Sequence, residues 1–569
     1  MHSRPLIGLV TNDLVGTYQH TFWSGMRSAA AEEDCDLASF NGGEIGSRQH
    51  DKSMRRSAFD LIRFAKPDAL VLLSTAITNS GDQSRMDVFL RRLGKIPLVS
   101  VGFTLPGHPA VLLDNIAGMS AVVEHLVVHH GRRRFAYLGG PNFNPDARER
   151  REVFLGVLER HGLKFDPLLE ATASWDFALA KEKVRALLDT EVPFDALVAA
   201  NDDMALGAIE ALRERGRRVP EDVVVSGFDD SEEGAWTAPG LTSVRQPVFE
   251  QGRAALRLAL ERLEEGAPNR TETVRTILVP RGSCGCRSGS LLLVRQVADA
   301  PRAPAGPPGG AEHLAAVREA CEEMAGGSRQ DGALAHLVAG LVEGARTGDD
   351  VQPLEAFSLL MDLNPNQESS DHWQDFLTRL RQASLPFHSA HPEQVLRLDT
   401  ILHELRLLAH ESTVRAMARR ALDAQRKARE IHETGLRLLQ GTDLPTLAEI
   451  LCEQARTLRI ASLQVLLHDR SPRRKDCRVL VAVRSGVRCE TRPGRKEPLS
   501  EAVHAILRSS GLRSAQVVEP LYFGEEHLGW MILEPGARLG LLLDSLRGQL
   551  SAALHAHRER QPAGTASGY

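Results

Sequence analysis

Short apolar runs of strand length recur through the first half of the chain, and each is followed by a stretch with the period of an amphipathic helix. Pro5–Thr11 reads as a strand and Thr21–Glu33 as a helix. Ala69–Leu73, Leu98–Val101, Phe135–Leu138, Ala196–Ala199 and Val223–Phe228 repeat the strand signal, with helical patterns between them. Continuous apolar runs mark strands covered on both faces, and strands alternating with helices build a parallel sheet with helices on either side. Repeats over this length predict two lobes, and a cleft between lobes is a natural ligand site. In Val219-Pro-Glu-Asp-Val-Val-Val-Ser-Gly-Phe-Asp-Asp-Ser231, Pro220 is expected to end the preceding helix and Val223–Val225 to be buried strand. Asp229 and Asp230 then fall just past the strand's carboxyl end, where open α/β sheets bind ligands. There they could accept hydrogen bonds from hydroxyls or amines; capping the next turn is their other use.

The pattern changes after residue 288. Asp299-Ala-Pro-Arg-Ala-Pro-Ala-Gly-Pro-Pro-Gly-Gly310 reads as an extended spacer and is the clearest boundary in the chain. Helical patterns follow at His313–Met324 (Leu314, Val317, Cys321 and Met324 on one face), Ala333–Gly344, Pro353–Leu363 and Asp371–Ala383, the last burying Trp373, Phe376, Leu377 and Leu380. Pro392 to about Gln440 is a long helical stretch. Val414, Met417, Ala421, Ala424, Ala428, Ile431, Gly435 and Leu438 form a heptad seam able to pair two helices closely, or to pack within one subunit. Leu398, Ile401, Leu405 and Leu408 follow a different phase, which predicts a break near His410–Thr413. Beyond it come a helix at Leu444–Leu458, strands at Ala461–His468 and Cys477–Val483, and a charged loop at Arg492–Pro498. A hairpin, Val517–Phe523 and Leu528–Glu534 around a Gly turn, and a closing helix at Leu539–Arg558 complete this region.

Composition narrows the possibilities. At 569 residues the chain exceeds one core, so several domains are expected. A net charge of -5 gives no general reason to expect a nucleic-acid binder. No run reaches the roughly 20 apolar residues of a membrane helix, and Met1–Gly8 enters a strand at once, leaving no room for a signal peptide. Seven irregularly spaced cysteines suggest reduced thiols in a cytoplasm. The close pair Cys284-Gly-Cys286 has no second Cys or His pair near it in sequence, which favours an end-of-domain turn over a zinc site. His125, His129 and His130 share a helix without an HExxH pattern, so packing or solvent roles are expected. No phosphate-binding Gly loop, nucleophile elbow or cyclase signature occurs, and Cys489 is not read as a chromophore attachment point. No catalytic residue, metal or cofactor is expected.

Several segments of residues 5–285 together resemble the lactose/purine/galactose-repressor (LacI/GalR) sensor domains. These are Asp114-Asn-Ile-Ala-Gly118 with Glu124-His-Leu126, Ala147–Phe154, Phe194–Gly207, Val219–Ser231, Leu241–Pro247 and Pro280-Arg-Gly-Ser283, in the right order. The resemblance implies a type I periplasmic-binding-protein-like fold: two Rossmann-like lobes, three crossovers and a small ligand in the hinge cleft. Position by position it implies a pocket. Arg150 would offer its planar fork to a hydroxyl pair or carboxylate, and Trp175 would stack on the ligand's flat face. Asn201 would both donate and accept. Asp229 would accept from hydroxyls, with Gln246 beside it on the last crossover. Tyr18 falls in the first strand–helix loop, where the family places an aromatic. After Ile96–Val101, sugar-binding relatives often place a carboxylate where this chain has Gly102-Phe103, so a flatter or less hydroxylated ligand is possible. Only four residues precede Pro5, too few for the family's DNA-binding headpiece, so direct operator binding from this chain is not expected.

The final module resembles GAF domains, which in modular bacterial signalling proteins follow such sensors. The expected organisation is a sensor at 1–288, a Pro/Gly-rich linker at 289–311, a helical region at 312–440, a small α/β GAF-like domain at 441–560 and a tail at 561–569. The expected function is cytoplasmic sensing of a sugar, nucleobase or similar polar metabolite by a homodimer. It would signal through a protein partner without membrane contact, the alternative being a transcription factor that reaches DNA through a missing headpiece or a partner.

Overall fold

The computed structural model describes residues 4–45, 54–78, 83–264, 266–286, 310–325, 331–362, 370–441, 443–458, 460–468, 476–484, 487–488, 496–508, 514–534 and 540–560. Nearly all of the 299–310 spacer, the 561–569 tail and Cys489 lie outside them. The chain divides into two units, residues 1–234, 243–278 and 426–569 in one and residues 235–242 and 279–425 in the other.

In the first unit, β1 (Leu6–Thr11), β2 (Asp36–Asn41), β3 (Ala69–Leu73), β4 (Leu98–Val101) and β5 (Ala110–Leu113) join a parallel sheet. A second parallel sheet holds β6 (Phe135–Gly139), β7 (Glu170–Thr172), β8 (Ala196–Ala199) and β9 (Val224–Ser226) in the order β7-β6-β8-β9. The chain crosses back at β10 (Ser243–Arg245), and β11 (Thr271–Val274) adds to the first sheet beside β5; β12 (Ile277–Val279) follows. These are the two lobes expected from the buried apolar runs. The helices Thr17–Glu32 and Val248–Glu261 pack on the first lobe, and glycines let their backbones meet: a Cβ on Gly25 would lie 2.0 Å from the Phe249 carbonyl oxygen.

Two local expectations change. The first helix begins at Thr17, so Tyr18 stands in its first turn rather than in a loop; Gly16, extended at φ -68°, opens it. The helix before β9 ends at Glu214, well short of Pro220, with Gly216 in the left-handed conformation at φ +70°.

The remaining strands are β13 (Ser462–His468), β14 (Asp476–Arg484), β15 (Val487–Arg488), β16 (Lys496–Pro498), β17 (Ala515–Phe523) and β18 (Glu526–Glu534). They form an antiparallel meander, and its edge strand β17 pairs in parallel with β2: Leu37 with Ala515, Ala38 with Gln516, Ser39 with Val517 and Phe40 with Val518. The lobe-1 sheet therefore continues into the meander. Alternation at the seam sends Leu37 and Val517 to one apolar cluster and Ala38, Phe40 and Val518 to the other, so both faces of the seam are dry.

Polar groups close the joint. Asn41 donates to the Glu519 carboxylate (2.5 Å) and accepts from the Ser39 hydroxyl (2.7 Å). Arg55 lies 3.7 Å from Glu519 and pairs with Asp544, which Arg547 also contacts. Burial pushes the Glu519 carboxyl up to about 7, against the opposing pull of Arg55, Asn41 and Arg547. A carboxyl raised in the folded state holds its proton better there than in the unfolded chain. Its contribution to stability is therefore full at low pH and fades as pH climbs from about 4.5 to about 7. Glu519→Gln keeps the shape of the neutral acid, so the wild-type-minus-variant difference in unfolding free energy should decline across that window. A level difference in denaturant titrations run at several pH values would show that Glu519 titrates normally.

The second unit is helical: Ala311–Ala325, Asp331–Thr347, Val351–Asp362, Ser370–His388 and the helix Pro392–Gln440 as far as Gln425. Trp373, Phe376, Leu377 and Leu380 are buried as expected, with Val317, Cys321, Phe357, Leu398, Ile401, Leu402 and Leu405. Leu314 is an exception: it is exposed, and His313 turns inward to stack on Phe387 at 4.4 Å. The break expected near His410–Thr413 is absent, since Pro392–Gln440 is one helix. Neither glycine nor proline occurs between Glu393 and Thr434, and Thr413 returns its hydroxyl to the Ala409 carbonyl at 2.8 Å without interrupting the ladder. The change of phase reflects a change of neighbours. Leu398, Ile401 and Leu405 pack in the helical unit, Ile431 and Leu438 pack with Leu447, Leu451 and Leu546 in the first unit, and Val414 between them stays 48% exposed.

Candidate functional site

Arg150 stands on the helix Pro145–Arg160, capped by the Asn144 side chain, and is itself buried. Its Nε donates to Asn115 Oδ1 (2.9 Å), and Nη1 donates to the Ala200 carbonyl (2.7 Å) and lies 3.9 Å from Asp229. The guanidinium rests on the Phe228 ring (3.7 Å to the centroid), with the Trp175 ring 5.8 Å away. Its side chain is only 4% exposed whereas that of Asp229 is 36% exposed, so Asp229 is the more accessible member of the pair. The fork expected to make bidentate contact with a ligand already spends one donor of each of its two edges, Nε and Nη1, on protein acceptors.

Asp229 leaves β9 at φ +131° and Asp230 at φ +59°, conformations that non-glycine residues adopt at a cost of the order of 1–3 kcal/mol each. A scaffold holds them there. Asp202, buried at the start of the helix Asp202–Glu214, accepts from the Ser243 hydroxyl (2.5 Å) and the Ser231 N–H (2.7 Å). The Ser243 hydroxyl accepts from the Asp230 N–H, and Arg245 pairs with Asp230. Gln246 donates its amide to Asp229. Burial drives the Asp229 carboxyl well above the usual range, Arg150 opposes the shift, and Asp202 and Asp203 reinforce it.

Tyr18 enters from the lobe-1 helix, donating its hydroxyl to Gln251 (3.1 Å). Burial raises its phenol, and the charges of Asp146 and Asp229 add to the effect. Arg150, Trp175, Asp229 and Gln246 are thus brought together, and Tyr18 contacts Gln251. Asn201 joins them with a narrower role: its Oδ1 caps the following helix at the Met204 N–H (3.0 Å), leaving the amide nitrogen rather than both groups for a ligand.

Sequence reasoning missed Asp146, Asn115, Phe228 and Gln251. Asp146 lies four residues before Arg150, one helical turn away, and burial raises its carboxyl; Asn115 donates to it at 2.8 Å. That spacing was the available signal for Asp146. For Gln251, paired with Tyr18 across 233 residues, the sequence carries none.

Trp175 is held at φ +66° over Gly140, where an added Cβ would meet the indole at 2.3 Å. Gly140→Ala should push the ring out of place and weaken ligand binding by roughly 10-fold, equivalent to about 1.4 kcal/mol, with a smaller effect on melting. Isothermal titration of both proteins checks this, and unchanged affinity would remove Trp175 from the site.

Residues 123–284 match the family model of the periplasmic binding protein-like domain. The chain is 29% identical over 257 residues to the HTH-type transcriptional regulator GalS of Salmonella typhimurium, covering 44% of this chain and 72% of that protein. It is 37% identical over 164 residues to the HTH-type transcriptional regulator AscG of Escherichia coli, covering 29% of this chain and 48% of that protein. Among solved structures, the Escherichia coli transcriptional repressor ascG aligns with a TM-score of 0.41 at 28% identity, covering 49% of this chain and 98% of that one. Residues 123–284 thus carry a periplasmic-binding-protein-like domain. In this region the chain is similar to transcriptional regulators such as GalS and AscG, and it spans about half the length of AscG. No described helix is long and apolar enough to cross a membrane.

Proposed function

We propose that the chain is a sensor in which a small polar metabolite, a sugar, nucleobase or similar molecule, draws the two lobes together. Residues 441–560, a GAF-like module, would pass that motion to a protein partner, and the chain would perform no chemistry of its own. The observation that carries the reading is the Arg150–Asp229 pair at the cleft, flanked by Trp175, Tyr18 and Gln246 and braced by Asp202 and Ser243. A half-exposed acceptor in front of a buried cation, with an aromatic wall, suits a ligand that presents hydroxyl or amine donors on one edge and a flat apolar face. Closure shifts the signalling equilibrium only by the ligand's preference for the closed form.

A thermal-shift screen against sugars, nucleobases and amino acids tests the reading, because a ligand that binds the native state raises the melting temperature. A hit should raise the wild type and leave Asp229→Ala unmoved. No hit in any class, or an equal rise in the variant, would contradict it. A second reading is favoured by the relatives' names, which describe helix-turn-helix regulators: a ligand-responsive transcription factor that reaches DNA through a headpiece or a partner. Gel shifts at controlled salt, with and without the ligand found by the screen, separate the two.

A further inference from the structure

The helix Asn115–Glu124 continues into a π-helical turn, His125–His129. Residues five apart on an α-helix point about 140° away from each other, whereas a π turn widens the ladder to i→i+5 and brings such residues onto one face. Here it aligns His125 with His130. Their Nε2 atoms lie 3.2 Å apart and the rings meet edge-on with centroids 4.9 Å apart. Two imidazoles bound to one tetrahedral zinc at about 2.0–2.1 Å place their nitrogens about 3.3 Å from each other, so the observed spacing is that of two ligands sharing a metal. Both rings are partly buried, which favours the neutral form that binds metal. His129 sits beside them but is exposed.

We propose that His125 and His130 supply two ligands of a transition-metal site, with Zn²⁺ as the ion that imidazole donors and tetrahedral spacing suit best. The function of the π turn is then to build a two-histidine chelate, which a regular helix would pull apart. Two positions of the sphere remain for thiolates or water. The site is separate from the cleft chemistry and stands or falls independently of the ligand-sensing reading.

The test uses the full chain, freed of any purification tag, stripped with a chelator and dialysed against Zn²⁺ or Co²⁺. The wild type should retain about one metal per chain, His125→Ala/His130→Ala should retain none, and His129→Ala should match the wild type. The visible spectrum of the Co²⁺ form should be tetrahedral, and a sulfur-to-cobalt band would identify thiolates as the remaining ligands. Circular dichroism checks the folding of each variant, with His125→Gln/His130→Gln as the second pair. Should neither double variant fold, the wild type decides through its imidazole ¹⁵N signals, two of which should move on Zn²⁺ addition. A wild type that keeps no metal, a folded double variant that binds as much as the wild type, or imidazole signals that stay still would each overturn the proposal. Each would leave the pair a plain histidine–histidine hydrogen bond.

Discussion

Arg150→Ala should lower the stability of the unligated protein and weaken ligand binding in one step. The side chain is buried and satisfies Asn115 Oδ1 and the Ala200 carbonyl, both of which lose this donor in the variant. It also balances Asp229, which Asp202 and Asp203 push toward neutrality. Removing one member of a buried ion pair costs about 3–5 kcal/mol. Asp229 is partly open to the cleft, and water there reduces the loss to roughly 2–3 kcal/mol. That corresponds to a drop of several degrees in melting temperature. Ligand affinity should fall by about 1.5–3 kcal/mol, the range of a charged hydrogen bond, or roughly 10- to 150-fold. Arg150→Lys keeps the charge but cannot bond Asn115 and Ala200 while resting flat on Phe228, so it should recover part of the stability and little of the binding. Calorimetry on the three proteins measures both effects. A folded Arg150→Ala that binds as tightly as the wild type would mean that the ligand sits elsewhere.

The lobes were legible because their strands are continuous apolar runs, and burial on both faces leaves such a run few alternatives. The proximity of Arg150, Trp175, Asp229 and Gln246 was legible through family resemblance and through the position of Asp229-Asp230 after β9. What escaped was set by partners distant in the chain. β2 reads poorly as a strand, since Ser39 and Asn41 interrupt it. Those polar residues are buried because Glu519, 478 residues beyond Asn41, receives the Asn41 amide. The phase shift in the long helix was visible as a pattern and misread as a break. The helix continues through the shift because its earlier and later stretches pack in different cores, and no local residue there demands an end.

Trp530→Ala should unsettle lobe 1 as well as the meander that carries it. Trp530 is buried in β18, opposite Pro520 of β17 and Leu466 of β13, and its indole N–H donates to the Ser57 carbonyl (3.1 Å). It shares an apolar cluster with Phe40, Ala58, Leu70 and Val518. Truncating a buried tryptophan costs about 3–5 kcal/mol, and the freed Ser57 carbonyl adds to the loss. Because β2 and β17 belong to one sheet, that loss should reach Leu37–Phe40 through the shared ladder, beginning with the Leu37 N–H donated to Ser514 (2.9 Å). Hydrogen exchange of the folded variant should therefore accelerate in β2 and β17 together, while the helical unit around Phe357 and Phe376 keeps its protection. If exchange rises only between residues 514 and 534 and β2 stays protected, the meander is a docked neighbour rather than an extension of the lobe-1 sheet. Under the proposed function, lobe 1 and the meander would move as one body, and closure would move the lobe of β6–β9 against it.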